Sequence, residues 1–484
     1  MKLKQLLSKT ELKNISRDNI PNIDINAIFY DSRKVEEGSL FVCIKGEKSD
    51  GHDFINEAVK KGAAAIIADR DTGEKNCVIV PDTRIALASI CNVWYGNPLS
   101  KLRIIGITGT NGKTSLAHII EHILVCVTGE KVGVIGTLGS HAGSVEMPLL
   151  TAPTTPEPIE LFGLLAKMAE MKVSYVVMEV TSIALDQNRV NGITFETAVF
   201  TNLSQDHLDY HHTMEKYLDA KSKMFAVCNN GVINADDDSF TKLVETGTCK
   251  FLSYAVDSDS ADIVAKNVRL MSDRVEFEVL QGAGIERAVV NIPGLFSVYN
   301  ALAAIGTCMT LGLQMQDILE ALKNVKGVKG RMEVVPLNTD YTVIIDYAHT
   351  PDALEKAIKA LNAVKNGRIV CLFGCGGDRD KTKRAQMGAI AARLSDYVIV
   401  TSDNPRTEEP MKIIEDILKG MPQGKTKHIV IENRSQAIEY ALKNSKKDDI
   451  ILLAGKGHET YQIVGESKIH LDEREVIKSY FEKN

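Results

Sequence analysis

The chain has 484 residues, 57 of them Lys or Arg and 63 Asp or Glu, for a formal charge of −6. At roughly 100–200 residues per domain this length suggests three domains, and 44% hydrophobic with 25% charged residues is ordinary globular composition. The acidic balance speaks against a protein built on nucleic-acid backbone contacts, and no run approaches the ~18 unbroken apolar residues of a membrane helix. Neither a nucleic-acid partner nor membrane insertion is therefore expected. The nine cysteines are scattered without paired CxxC sets, which reads as buried reduced thiols rather than zinc ligands or disulfides. The N-terminal stretch MKLKQLLSKTELKN has no apolar core of the signal-peptide kind, so a cytoplasmic location is expected.

Strand-like and helix-like segments alternate almost throughout, the α/β pattern of mostly parallel sheets. Residues 64–68 (AAIIA) and 77–80 (CVIV) read as short buried strands and 84–95 as a helix, which Asn97-Pro98 ends. A strand at 103–108 (RIIGIT) leads through a glycine turn into a helix from Ser115, and 175–180 and 197–202 read as further strands. The alternation around 262–292 predicts a local antiparallel piece, followed by a helix over 297–312. The Gly- and Lys-rich segment 327–335 reads as a linker. Beyond it, strands at 342–346, 369–373, 397–401 and 450–453 with helices between them predict a doubly wound domain. The expected domains are 1–98, 99–329 and 330–484.

The strongest chemical signal is Gly109-Thr110-Asn111-Gly112-Lys113-Thr114, between a buried strand and a helix. In such a P-loop, backbone N–H groups and the helix N-terminus cradle phosphate oxygens, the lysine reaches the β/γ-phosphates and the threonine hydroxyl ligates Mg²⁺. The usual glycine five positions before Gly112 is replaced by Ile107, so the loop is a tighter variant. Glu179, at the end of YVVMEV, is a strand-end carboxylate of the kind that holds Mg²⁺ directly or through water. Gly374-Cys375-Gly376-Gly377-Asp378-Arg379 also follows a strand, but Arg379 stands where a dinucleotide loop needs glycine. His211 and His212 read as ordinary loop histidines.

TGTNGKT, MEVTSIALDQNRV, TNLSQDHLDYH, DYAHTPDAL, FGCGGDRDKTKR, SDNPRTEEP and AGKGHETYQ occur in that order. Together they resemble the Mur ligases of peptidoglycan synthesis, most of all the members that add the third peptide residue. The resemblance implies a three-domain α/β architecture: a UDP-sugar domain, a central P-loop ATPase domain and a C-terminal Rossmann-like domain that brings the amino acid. It implies ATP as co-substrate, Mg²⁺ as cofactor, UDP-N-acetylmuramoyl-dipeptide as acceptor and, as in most such ligases, a monomer. It assigns catalysis to Lys113, Glu179, His207 and Lys221, with Lys221 carried as a carbamate (N6-carboxylysine). Metal binding falls to Thr114, Glu179, His207 and the Lys221 carbamate. ATP contacts fall to Gly109 through Thr114, to Ser115, and to Asn300, Arg331, Asp346 and His349. The UDP-sugar and dipeptide positions are Tyr30, Ser32, Glu47, Lys48, Ser49, Thr154, Thr155, Thr181, Gln187 and Arg189.

Asp403-Asn404-Pro405-Arg406 bears on the amino acid. Meso-diaminopimelate carries a second amino-acid head that L-lysine lacks, and recognising it needs a fixed cation and acceptors. Arg406 can supply the cation, with Arg384 as a second candidate, and Gly455 and Glu459 the acceptors. In the family this tetrapeptide goes with diaminopimelate. L-lysine addition, a folylpolyglutamate synthase-like ligase and a non-enzymatic nucleotide switch are the alternatives. Only a ligase makes ATP turnover depend on both acceptor and amino acid.

Overall fold

The computed structural model describes residues 1–46, 49–148, 154–271, 274–422 and 427–483, with the side chain of residue 209 left aside. It comprises two compact units, 1–233 with 237–252 and 234–236 with 253–484.

The first unit opens with an all-parallel sheet of β1 (Ile28–Phe29), β2 (Leu40–Val42), β3 (Ala65–Ala68) and β4 (Cys77–Ile79), in that order. The helix Thr83–Trp94 follows, and the Asp82 side chain accepts from Arg84 N and Ile85 N at its start. A second sheet then places β5 (Arg103–Thr108) between β9 (Tyr175–Glu179) and β10 (Phe195–Phe200), all parallel. Beyond β10 lies β11 (Cys228–Asn234), and beyond β9 lie β6 (Val132–Gly136), β7 (Gly139–Ala142) and β8 (Val145–Glu146). Every residue of β5 after Arg103 is buried, as expected of a strand covered on both faces. The registers Ile107↔Glu179 and Thr108↔Phe200 bring the ends of three strands together. The helix starts at Lys113, two residues earlier than the pattern suggests, because Gly112 at φ +88° turns the chain directly into it.

The second unit contains the antiparallel strands β13 (Ile263–Leu270), β14 (Val275–Gln281) and β15 (Gly284–Val290), with the end of β12 (Lys250–Ala255) pairing parallel to β13. The helix Leu295–Thr310 follows. A six-stranded sheet then runs β16 (Glu333–Val335), β17 (Thr342–Asp346), β21 (Ile450–Ala454), β18 (Ile369–Phe373), β19 (Tyr397–Val400), β20 (Lys427–Val430). All its pairings are parallel except β16–β17. The 327–335 segment is therefore not all linker: Glu333–Val335 gains ladder bonds as an edge strand on β17. One face of this sheet packs Cys371, Phe373, Val398 and Leu452 against Leu354, Ile358, Met387 and Ile414 from three helices. The other packs Val343, Leu372, Ile399 and Leu453 against Ile438 and Ile477. This is the doubly wound arrangement, which gathers its loops at the carboxyl ends of the strands.

All nine cysteines are free thiols; six are buried, Cys77 and Cys249 are half-buried, and Cys126 is exposed, so uniform burial does not hold. Cys126 lies in the last turn of the helix Lys113–Thr128, away from its apolar stripe.

Arg434 and Glu473 are both 0% exposed. The guanidinium donates to Glu473 Oε1 from Nε at 2.8 Å and to the Ala454 carbonyl from Nη2 at 2.8 Å, tying two helices to the end of β21. Removing one partner leaves the other charge buried and alone. Arg434→Met should lose about 3–5 kcal/mol, read as a lower urea midpoint, and adding Glu473→Gln should recover part of it.

Candidate active site

In the first unit the site is built around β5. Gly109, at φ +139°, presses against the end of β10: a Cβ there would lie 1.9 Å from Thr201 Oγ1. The loop is bonded along that side, with Thr110 N donating to Asn202 O (2.8 Å), Asn111 N to Asn202 Oδ1 (3.1 Å) and Thr201 Oγ1 to Asn111 O (2.6 Å). Lys113 folds back over the loop, and its Nζ donates to the carbonyls of Gly109 (2.9 Å) and Thr110 (2.8 Å). On the other side, Thr114 Oγ1 donates to Glu179 Oε2 at 3.0 Å. Glu179 is 1% exposed. It also accepts from Thr137 N (2.9 Å) and Thr137 Oγ1 (3.0 Å), and Gly136 lets it approach, since a Cβ there would meet its Oε1 at 2.3 Å.

Lys221 is 1% exposed. It lies one turn beyond Tyr217 on the helix Met214–Ser222, so the two share a face. Its Nζ sits 4.5 Å from the centre of the Tyr217 ring and donates to Gly109 O at 2.9 Å. Burial, and then the nearby Lys113 charge, hold its pKa well below the ordinary lysine range, with Asp206 opposing. Tyr217 links the group. Its hydroxyl is 3.2 Å from Thr110 Oγ1, His207 meets the ring edge-on at 6.2 Å, and His211 stacks on it at 5.1 Å. Burial pushes the tyrosine hydroxyl up to about 12. His207 is exposed, with left-handed backbone (φ +52°). His211 is not a loop histidine: it ends the short helix Leu208–His211, is buried, and lies 2.9 Å from Ser182 Oγ. The aromatic contacts with Tyr217 bury it.

Thr155 Oγ1 donates to Glu179 O (2.9 Å) and accepts from Thr181 N (3.0 Å), and Thr154 Oγ1 lies 3.1 Å from Thr137 Oγ1. Thr181 caps the next helix through Ala184 N. Arg189 donates to Thr155 O (2.9 Å) and to Gln187 Oε1 (2.8 Å from Nη2), and pairs with Glu157 at 2.8 Å. Tyr30 belongs to this neighbourhood, since burial, then Glu160 and Glu157, push its hydroxyl pKa up. Ser32 is turned inward and donates to Glu57 Oε2 at 2.9 Å, while the Ser49 carbonyl closes a turn with Gly46 N (2.9 Å). Glu47 and Lys48 lie outside the described residues.

In the second unit, Asn300 is buried on its helix. Arg331 lies over the Tyr347 ring at 4.5 Å, and the same ring contacts His349 (4.6 Å) and His458 (5.0 Å). Burial and the cations Arg331, Arg474 and Lys329 hold the His458 pKa down to about 4, so its ring is neutral at pH 7. Asp346 accepts from Met332 N (2.7 Å) and Ala348 N (2.8 Å). Burial pushes its carboxyl up while Arg331 pulls the other way.

The loops after β18 and β19 interlock. A Cβ on Gly374 would lie 2.3 Å from Thr401 O, and one on Gly377 1.9 Å from Pro405 O. These glycines serve loop-to-loop contact. Arg406 Nη1 donates to Gly377 O at 2.7 Å, and Asp378 N donates to Glu408 Oε1 at 2.7 Å. Arg384, 1% exposed, is held by Glu408 (2.7 Å) and Asp416 (3.1 Å). Its hydrogen bonds first of all hold the Glu408 pKa down to about 2. Arg384 thus braces the loop from within. Asp403 Oδ1 accepts from Asn404 N (2.7 Å), and Asn404 Nδ2 donates to Glu459 Oε2 (2.9 Å). Gly455, at φ +110°, lies against Asp403.

The phosphate loop, the carboxylate beside it and the Rossmann-like unit with its gathered loops define an α/β nucleotide-phosphate-binding protein. Family models match in three successive segments: "Mur ligase family, catalytic domain" over 24–93, "Mur ligase middle domain" over 107–308 and "Mur ligase, glutamate ligase domain" over 330–457. The chain belongs to the Mur ligase family. It is 45% identical over 484 residues to a protein of Clostridium acetobutylicum named UDP-N-acetylmuramoyl-L-alanyl-D-glutamate--2,6-diaminopimelate ligase 2, covering 99% of each chain. It is 47% identical over 462 residues to the ligase of the same name, without the number, from Caldanaerobacter subterraneus subsp. tengcongensis, covering 95% of each. A solved structure titled as that ligase aligns with a TM-score of 0.73 at 30% identity, over 100% of this chain and 99% of the other. Among the described residues no helix is long and apolar enough to cross a membrane.

Lys113→Ala removes the side-chain amine that folds over the loop. Ligation should fall at least about 100-fold, measured as phosphate release in the presence of acceptor and amino acid; near-normal turnover would take the loop out of the chemistry.

Proposed function

We propose that the chain is the ATP-dependent ligase that joins meso-diaminopimelate to the D-glutamate γ-carboxylate of UDP-N-acetylmuramoyl-L-alanyl-D-glutamate, in the cytoplasm and as a monomer. The observation that carries the reading is the 403–406 loop, in which Arg406 bonds the Gly377 carbonyl, Asn404 bonds Glu459 and Asp403 lies against Gly455. The names of the full-length relatives support it. L-lysine is the second reading, because similar loops can serve lysine-adding enzymes. The family match over 24–93 and the 403–406 loop weigh against a folylpolyglutamate synthase-like acceptor. The functional partition is 1–98 for the UDP-sugar, 99–329 for ATP and 330–484 for the amino acid, and the three matched segments support it.

In the reaction a γ-carboxylate oxygen attacks the γ-phosphorus of ATP and ADP leaves. The amine then attacks the acyl-phosphate carbon, phosphate leaves and the amine loses a proton. A carboxylate is a poor electrophile, and phosphorylation gives it a leaving group. The protein's part is positioning and charge neutralisation. The loop amides 109–115 and Lys113 hold the phosphates; Asn300, Arg331, Asp346 and His349 surround the nucleotide. Tyr30, Ser32, Ser49, Thr154, Thr155, Thr181, Gln187 and Arg189 hold the acceptor. Thr114 and Glu179 present a hydroxyl and a buried carboxylate side by side, an oxygen donor pair that fits Mg²⁺. His207 and a carbamylated Lys221 would complete the holding set, and the cation would neutralise phosphate charge. Burial lowers the Lys221 pKa and so favours the free amine that addition of CO₂ requires, and carbamylation would turn it into an anion.

Lys221→Ala should be nearly inactive, and a short carboxylic acid should restore part of the rate by replacing the lost anion. Full activity of that variant without additive would remove the carbamate. Meso-diaminopimelate should be preferred to L-lysine in an amino-acid panel. A charge-assisted bond contributes about 1.5–3 kcal/mol, or about a hundredfold at the upper end, and Arg406→Ala should lose that preference while ATP binding persists. Comparable kcat/KM for the two amino acids in the unmodified enzyme would replace diaminopimelate in the reading and leave the ligase.

A further inference from the structure

Among the described residues two lysines are buried, Lys221 and Lys456. Lys456 has no part in the chemistry above. It sits in the turn after β21 at 0% exposure, and its Nζ donates to Asn404 Oδ1 (3.0 Å) and Glu459 Oε2 (3.0 Å). Asn404 Nδ2 donates to that same Glu459 oxygen at 2.9 Å, closing a triangle of three side chains. Asn404 Oδ1 accepts a further bond from Ile463 N at 2.9 Å. Both amide ends of Asn404 are therefore engaged within the protein, and the side chain links the two segments.

The triangle has a neighbour on either side. Asp403 Oδ1 lies 4.0 Å from Lys456 Nζ, and Asp403 Oδ2 lies 4.0 Å from Arg434 Nη1. The hairpin of β22 (Tyr461–Val464) and β23 (Ser467–His470) clamps the backbone of Arg406. Arg406 N donates to Ile463 O (3.0 Å) and Gly465 N to Arg406 O (2.7 Å), holding Arg406 at φ +52°. Lys456 thus joins the turn that carries Glu459 to the loop that carries Arg406, through bonds that a neutral side chain of its length cannot replace. A half-satisfied polar network in a buried place loses its single geometry.

We propose that Lys456 is the positioning residue for amino-acid selection: its buried ammonium sets the spacing between Glu459 and Arg406, and so the recognition of a second amino-acid head. This rests on the diaminopimelate reading above. The test is steady-state kinetics of the full chain with ATP, the UDP-dipeptide and either meso-diaminopimelate or L-lysine.

For Lys456→Met the KM for meso-diaminopimelate should rise about tenfold or more while those for ATP and UDP-dipeptide stay within about twofold, the loss expected when a charged hydrogen-bonding partner is removed from the amino-acid site alone. The preference over L-lysine should fall with it, and Lys456→Arg, which keeps the charge, should recover part of it. Should Lys456→Met fail to fold, Lys456→Gln is read by the same split. An unchanged KM for meso-diaminopimelate, a common rise for all three substrates, or unfolding of both variants would overturn the proposal. An unmodified enzyme that ignores meso-diaminopimelate overturns the substrate reading instead, and the same split is then measured on the amino acid it uses.

Discussion

Two lysine side chains converge on one carbonyl. Lys113 and Lys221 both donate to Gly109 O at 2.9 Å. Two full charges so close in a buried place repel strongly, and the arrangement is tolerable because Lys221 is pushed toward its neutral form. The Lys221 side chain, the loop it bonds and the Tyr217 ring against it form one unit. The approach of Gly109 to Thr201 keeps that carbonyl in place. Without it, the loop could not press against the end of β10.

The second unit solves its problem with buried ions. The loops after β18, β19 and β21 rest on Arg384, Arg434 and Lys456, which are 1%, 0% and 0% exposed. Such charges contribute little net stability, because desolvation offsets their attraction. They do impose geometry. A buried guanidinium or ammonium accepts only arrangements that satisfy most of its donors, so the loops above have few alternatives.

Much of this architecture is legible in the amino-acid sequence. The strand 103–108, the P-loop, the strands of the doubly wound sheet and the carboxylate at Glu179 follow from apolar runs broken by glycine, a local pattern that burial on both sheet faces enforces. The roles of Thr137, Glu157, Tyr217, His211 and Lys456 are not legible in that way. Each acts on a residue distant in sequence or on the far side of a turn, and the sheet order that places β6 beside β9, or β21 beside β18, is not written in any single segment. Tyr217 carries one local signal, its spacing of four from Lys221 on a helix. The edge strand 333–335 is hidden because a short exposed strand has the composition of a linker. Exposed Cys126 shows the same limit, since composition counts thiols but does not orient them.

The glycine turn 374–377 and the loop 403–406 touch so closely that neither has room to move alone: a single methyl on Gly377 would overlap the Pro405 carbonyl. Loops packed this way form one evolutionary character. Replacing Arg406 in isolation would leave the Gly377 carbonyl without the guanidinium that bonds it, while the Asp378–Glu408 bond would still hold the two segments together. Divergence here should therefore proceed by paired changes across two segments some thirty positions apart, and a graft of either loop alone into a relative carries only half of the packed surface with it.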